Sequence, residues 1–364
     1  MKPSPLLARP GAVVVEGGAV AAHYGDPLRE QRLLAAGAGL VDRGDRDVLV
    51  IPGADRLAWL HSITSQHLDR LGDAAGSEAL VLSPNGHVEH HLVLADLGGT
   101  TWADVEPGTG TALHAFLERM RFMLRVEPAL VTESWAVLSL VGPKATEVLV
   151  AAGLPAPEAE YAVTATAAGF VRRMPPIGDG AATVFDLVVP RGDIDAVVDS
   201  LAAPLAGFVA YEALRVEARR PRLGVDTDHR TIPNELPWLH TAVHLEKGCY
   251  RGQETVARVH NLGRPPRRLV LLHQDGVSEV LAEPGTPVLA GTREVGRAGS
   301  VVRHHELGVI ALALVKQSVT MDASLTVAGS TAAIDPEDAP PEVDDTVAAA
   351  RDRVRAVRSA TIGR

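Results

Sequence analysis

The apolar pattern of this chain changes period at Arg268, and that change restricts the fold more than any other feature of the sequence. Beyond it, short apolar runs are broken by Gly and Pro with no helical spacing: residues 269–273 (LVLLH), 287–290 (PVLA), 295–303 (VGRAGSVVR), 308–315 (GVIALALV) and 324–329 (SLTVAG). Segments of this kind bury their side chains by pairing with one another, and a small closed barrel does so without leaving a free edge. Before Arg268, strand-like and helical spacings interleave, which requires helices packed on sheets. The expected fold class is α+β, or α/β, with a C-terminal β-barrel.

Within the first part, residues 47–51 (DVLVI) read as a strand, and a helix starts at Asp55 with Leu57, Trp59 and Leu60 on one side. Residues 79–94 (ALVLSPNGHVEHHLVL) read as a hairpin, because two apolar runs flank Asn85-Gly86, a dipeptide suited to the φ > 0 positions of a tight turn. An amphipathic helix is expected over 111–124, with Leu113, Phe116, Leu117 and Met120 on one face. Further strands are expected at 134–141 and 184–189, and helices at 144–152, 193–203 and 210–218. The Ala/Pro-rich stretch 153–170 reads as a loop followed by a small strand.

At 364 residues the chain is long enough for two or three domains with ordinary cores, and its one Cys cannot close an internal disulfide. A net charge of −10, from 35 Lys+Arg and 45 Asp+Glu, argues against a nucleic-acid coat. No window approaches the roughly 18 apolar residues of a membrane span, and no signal peptide is legible; a cytoplasmic protein is expected. Residues 335–345 (DPEDAPPEVDD) are expected to stay solvated and extended, and 346–364 carry five Arg, as a terminal helix or a tail.

The segment that carries chemistry is 247–258 (KGCYRGQETVAR), which holds the only Cys. In an extended stretch Lys247, Cys249 and Arg251 share a face, and two cations beside a thiol favour the thiolate. The alternative is that Cys249 is a small buried hydrophobe. Gly252 permits a tight turn, after which 253–258 make one helical turn with Glu254 and Arg258 paired. From Lys247 to Arg268 six Lys/Arg face Glu254 alone, a local +5 that suggests a positive cleft for an anionic ligand.

On the second hairpin strand, alternation puts His87, Glu89 and His91 on one face, as a zinc-binding set or simply an exposed polar face. His90 falls among aliphatics, as a satisfied core histidine or a titratable group lining a pocket. Arg215 and Glu217, two apart on a helix, do not face each other. No GxGxxG, Walker loop, HExxH, GxSxG or CxxC occurs, which removes the reactions those motifs serve as first choices.

The spacing K-G-C-Y-x-G-Q-E-x-x-x-R resembles the motif of the YgfZ-type folate-binding proteins, relatives of the aminomethyltransferase (T-protein) of the glycine cleavage system. Gly142-Pro143-Lys144-Ala145, Leu214-Arg215-Val216-Glu217 and the stretch from Pro221 to Asp226 are similar to further positions of that superfamily. The resemblance spans about residues 30–330. It implies a three-subdomain, T-protein-like folate-binding fold: an N-terminal α/β subdomain over 1–140, a second over 141–262 ending in the motif, a β-barrel over 263–334, and an acidic linker and Arg-rich tail over 335–364.

The resemblance also implies tetrahydrofolate as cofactor and a role as accessory protein in the assembly or repair of iron–sulfur enzymes. It makes Cys249 the reactive thiol with Lys247 beside it, Glu217 the pterin contact, and Arg251, Gln253 and Arg258 further cofactor-binding residues. No stably bound metal is expected, since one Cys cannot supply the ligands of a cluster. Folate and iron–sulfur clients are the expected partners, without membrane or nucleic acid, and a monomer is favoured. Aminomethyltransferases read roughly G-G-x-x-D-D-L at the hairpin, where this chain has His90 and His91 in place of both aspartates. The alternative function is a folate-dependent one-carbon transferase or demethylase, with His90 or His91 as general base.

Overall fold

The computed structural model describes residues 3–15, 17–278 and 280–339. Asp26 caps the first helix, Pro27–Ala36 (α1), by accepting from the Leu28 and Arg29 N–H groups, with Pro27 where no donor is needed. The buried strand Gly39–Asp42 (β1) follows. Then come Asp47–Pro52 (β2), Arg56–Ile63 (α2), Ala75–Leu82 (β3), Val88–Leu97 (β4), Thr100–Val105 (β5), Gly110–Met120 (α3) and Ala129–Leu130 (β6). These strands form a five-stranded sheet in the order β3-β4-β5-β2-β6. Leu113, Phe116 and Leu117 of α3 pack with Trp59 and Leu60 of α2 against Leu49, Ile51, Leu92 and Leu94 of the sheet. The helix stops short of the expected residue 124: Phe122 takes a positive φ of 50°, and Met120, expected on the apolar face, is exposed.

The hairpin forms about Asn85-Gly86, with Gly86 at φ 81°. A bulge lies where Val81 and Leu82 face His90 and Val88, and it re-phases the alternation of β4.

The second sheet comprises Trp135–Val141 (β7), Ala145–Ala151 (α4), Val163–Thr166 (β8), Gly169–Ile177 (β9), Ala182–Pro190 (β10), Ile194–Leu201 (α5), Leu205–Ala206 (β11) and Phe208–Glu217 (α6). Its order, β11-β1-β7-β10-β9-β8, draws β1 from ahead of the first sheet, so the chain enters this layer, leaves it and returns. Strand β9 lacks a clear strand pattern because it carries Arg172, Arg173, Pro175 and Pro176. Arg172 is fully buried, and the two prolines fall beyond the last residue that β8 pairs, where a missing N–H breaks no ladder bond.

After Trp238–Thr241 (α7) and Gln253–Leu262 (α8) come Arg267–Gln274 (β12), Pro287–Ala290 (β13), Arg293–His304 (β14), Gly308–Lys316 (β15), Leu325–Val327 (β16) and Ser330–Ile334 (β17). They close the expected barrel in the order β12-β15-β14-β13-β16-β17, around Val270, Leu272, Ala311, Ala313 and Val327. Residues 335–338 correct the expectation of a solvated linker. Asp335 and Asp338 pair with Arg219 at 2.9 and 2.7 Å, and Asp338 also accepts the Leu271 N–H. The acids at the start of this stretch are neutralised against the barrel rather than left in water. The Arg-rich tail lies outside the described residues. Among the described residues, no helix is long and apolar enough to cross a membrane.

Candidate functional site

Helix α6 is buried from Ala210 to Val216, so its polar residues have only protein to face. Glu212 and Arg215, three apart, meet at 2.7 Å, and from them a chain of buried charges crosses the molecule. Arg215 reaches Asp226 at 3.0 Å; Arg222 bridges Glu212 and Glu106 at 3.1 and 2.9 Å; Arg46 joins Glu106 to Asp104 at 3.0 and 2.6 Å; Arg172 joins Asp104 to Asp186 at 2.8 and 2.9 Å. Asp226 also accepts the Ser300 N–H, so the chain runs from the second sheet through the first to the barrel. Each carboxylate touches at least one guanidinium, the condition under which buried charge is tolerated.

This chain of charges borders a cavity of about 210 Å³ where the two sheets meet α6 and α7. Phe208, Tyr211 and Trp238 supply aromatic faces, while Arg43, Arg220, Glu78 and His91 supply polar edges. Arg43 lies over the Tyr211 ring at 4.6 Å and donates to its hydroxyl at 3.0 Å. Ala218, Arg219, Arg220 and Thr241 form a wall shared with a wider chamber of about 1,090 Å³. Arg220 lines both spaces and makes no ion pair within 4 Å among the described residues. A flat heterocycle with an anionic arm matches this set: stacking faces inside, an uncommitted cation at the opening.

Residues 24–247, more than half of the chain, match the profile of the family described as the GCVT N-terminal domain. The chain belongs to this family, and so to the T-protein superfamily. It is similar to an aminomethyltransferase of Moorella thermoacetica, 28% identical over 327 residues, 84% of this chain and 86% of that protein. A chloroplastic protein of Arabidopsis thaliana is 24% identical over 291 residues, 72% of this chain and 62% of its own length. Among solved structures, the glycine cleavage system aminomethyltransferase T of Bartonella henselae has the same fold, with a TM-score of 0.79 at 20% identity, covering 90% of this chain and 94% of that one.

After the bulge, His91 points to the cavity, stacks on Trp238 at 4.3 Å and stands 3.3 Å from the Glu78 carboxylate on the neighbouring strand. Glu78 also accepts from the Tyr161 hydroxyl at 2.7 Å and the Thr241 hydroxyl at 2.8 Å. Burial by itself would raise the Glu78 carboxyl, but the hydrogen bond and charge of His91, with the Tyr161 hydroxyl, outweigh it and bring it down to about 2. An imidazole beside a committed carboxylate can accept and return a proton.

His90 points the other way, toward Phe116 at 6.4 Å; its Nδ1 is buried without a hydrogen-bond partner, and burial brings its pKa down to about 4. It therefore belongs to the core side of the sheet and does not line the cavity. His87, Glu89 and His91 do not converge as metal ligands; Glu89 pairs with Arg251 at 3.4 Å.

The segment 247–251 is a turn rather than an extended stretch, so its three polar residues part company. Lys247 is buried and donates to the carbonyl oxygens of His61, Thr64 and Gln66, away from the thiol. Burial lowers its pKa to about 8, with Asp69 opposing. Cys249 is exposed and free, which removes the buried-hydrophobe reading. Gln253 donates to the Lys247 carbonyl at 3.2 Å, and α8 runs three turns from it, with no ion pair between Glu254 and Arg258 among the described residues.

The expected basic cleft is absent from this segment. Arg267 is taken by Asp228 and Glu235, Arg268 donates to the Val319 and Asp338 carbonyls, and Arg258 and Arg264 are exposed. The cavity's cations come from elsewhere: Arg43, Arg46, Arg215, Arg219, Arg220 and Arg222. Of the expected cofactor residues, Glu217 lines the wider chamber, 3.2 Å from His304, whereas Arg251, Gln253 and Arg258 line neither space. Sequence reasoning missed Glu78, Tyr211 and Trp238. Their signals were faint: two members of the 4% aromatic fraction, and a glutamate in the apolar strand opposite the histidines.

Proposed function

We propose that this protein is a YgfZ-type member of its superfamily: it binds a reduced folate in the central cavity and assists iron–sulfur enzymes through Cys249. The observation that carries this reading is the pair Glu78–His91, which stands at the cavity wall where the hairpin of the aminomethyltransferases reads aspartate. The aromatic and arginine lining suits a folate, while this strand offers an imidazole where the resemblance expects a carboxylate. In this reading the pterin lies among Trp238, Tyr211 and Phe208, its polar edge faces Glu78 and Arg43, and the glutamate tail leaves past Arg220 and Glu217. When bound, the folate supplies the one-carbon chemistry. Cys249, exposed and outside the cavity, is presented to a protein partner rather than to the folate, and the 247–258 motif supports the assignment.

Calorimetric titration with tetrahydrofolate and its formyl and methylene derivatives tests the first half. Saturable one-to-one binding is expected, weakened about tenfold or more in Glu78→Gln and Arg220→Ala, the loss of roughly one charge-assisted contact. Absence of binding by the wild type overturns the folate reading. Complementation of a YgfZ-deficient strain tests the second half: wild type is expected to restore client activity and Cys249→Ala to fail, and equal rescue by both removes the thiol from the function. A second reading, a one-carbon transferase or demethylase with His91 as base, draws on the same pair. Formation of 5,10-methylene-tetrahydrofolate from an amine donor, abolished in His91→Ala, would select it; inertness across a broad amine panel sets it aside.

A further inference from the structure

A second group of ligating side chains lies apart from the cavity, in the last turn of α2 and the loop that leaves it. One ligand atom from each of His61, His67 and Asp69 lies within 4.8 Å of the others, and no other group of three His, Cys, Asp or Glu meets this condition among the described residues. His67 Nε2 stands 2.6 Å from Asp69 Oδ1, yet no hydrogen bond joins them, and that nitrogen is shielded from solvent without any partner. The imidazole nitrogen and the carboxylate oxygen are thus in contact with no hydrogen bond between them, and they would have to part by under ~1 Å to share an ion.

His61 Nδ1 is 3.7 Å from the same oxygen. Neighbouring donor atoms around a four-coordinate ion stand roughly 3.3–3.5 Å apart, given metal–ligand distances of about 2.0–2.2 Å, so small side-chain adjustments complete the sphere. His61 Nδ1 also takes a long 3.3 Å hydrogen bond from the Leu68 N–H, which a bound cation would replace.

His244, arriving just ahead of the 247–258 motif, packs edge-on to the His67 ring at 5.0 Å and keeps a buried, unpartnered Nδ1. We propose that His61, His67 and Asp69 form a binding site for a divalent transition-metal ion, of the kind that imidazole and carboxylate together select, such as Zn²⁺ or Fe²⁺. The end of α2 and the loop after it also turn the carbonyls of residues 61, 64 and 66 onto Lys247, so an ion held by their side chains would fix the backbone on which that lysine rests.

Zn²⁺ titrated calorimetrically into metal-free, full-length protein tests this, with no folate present so that the result is independent of the folate reading. One ion per chain is expected, at about micromolar affinity or tighter, weakened about tenfold or more in His67→Ala and in Asp69→Asn and unchanged in His87→Ala, a histidine outside the group. Co²⁺ is expected to give visible absorption bands that the same two variants lose, and urea midpoints near that of wild type show that the variants are folded. Absence of saturable binding, several weak sites per chain, or equal affinity in wild type and His67→Ala/Asp69→Asn overturns the proposal.

Discussion

The imidazole of His90 lies beside Phe116 with one ring nitrogen buried and unpartnered, and burial lowers its pKa from 6.5 to about 4. Between those values an unfolded chain takes up a proton that the folded one refuses, so the native state loses stability as pH falls from about 6.5 to about 4. The loss attributable to this residue is about 3 kcal/mol at most. Urea unfolding at pH 7 and pH 4.5 measures it, and His90→Leu is expected to shrink the difference between the two midpoints. His91, its neighbour, has the opposite surroundings: a carboxylate at 3.3 Å and a tryptophan face. The amino-acid string states that two histidines stand in a row of aliphatics, and strict alternation would sort them. It does so here, with His90 on the side of Leu92 and Leu94 and His91 opposite; the bulge opposite Val81 and Leu82 moves only Val88 to the other face, and a bulge depends on the hairpin's pairing rather than on composition.

The motif around Cys249 owes its shape to the hairpin it packs against. Gly252 starts α8 at φ 83°, and a Cβ there would sit 2.6 Å from the Ser83 carbonyl oxygen and 2.9 Å from Gly86 Cα, both backbone atoms. Gly252→Ala is therefore expected to cost about 2–4 kcal/mol, from a left-handed residue forced into a backbone contact. Gly248→Ala, at a position with open space and no positive φ, is the comparison and is expected to leave the urea midpoint nearly where it was. Two of the motif's fixed positions thus serve architecture: Gly252 admits the hairpin tip, and Gln253 ties α8 to the Lys247 carbonyl. Read as a string, K-G-C-Y-R-G-Q-E suggests a catalytic strip, because chemistry-bearing residues are adjacent. Folded as a turn, it sends Lys247 inward and Cys249 outward.

The ionic chain from Asp186 to Asp226 couples both sheets, α6 and the barrel, and its members come from positions as far apart as Arg46 and Asp226. Arg172→Met leaves Asp104 with one guanidinium and Asp186 with only the more distant Arg43 at 3.8 Å, and the expected loss is about 3–5 kcal/mol in urea unfolding. Arg125→Ala, which breaks the exposed pair with Asp55, is expected to leave the midpoint unchanged. Barrel, hairpin turn and most helices were legible in advance because each rests on spacing within a dozen residues: alternation after Arg268, Asn85-Gly86 between apolar runs, Leu113 with Phe116 and Leu117 in one helix. The long motif was legible for the same reason, and it pointed to the right superfamily. The cavity was not, since Arg43, Glu78, Tyr211 and Trp238 become neighbours only when three layers close on one another. Nor was the fate of the +5 segment: a charge count has magnitude without direction, and Lys247, Arg251, Arg267 and Arg268 each found a separate partner. Local periodicity dictates which elements form, whereas the electrostatics of a site depends on inter-residue distances that exist only after those elements pack.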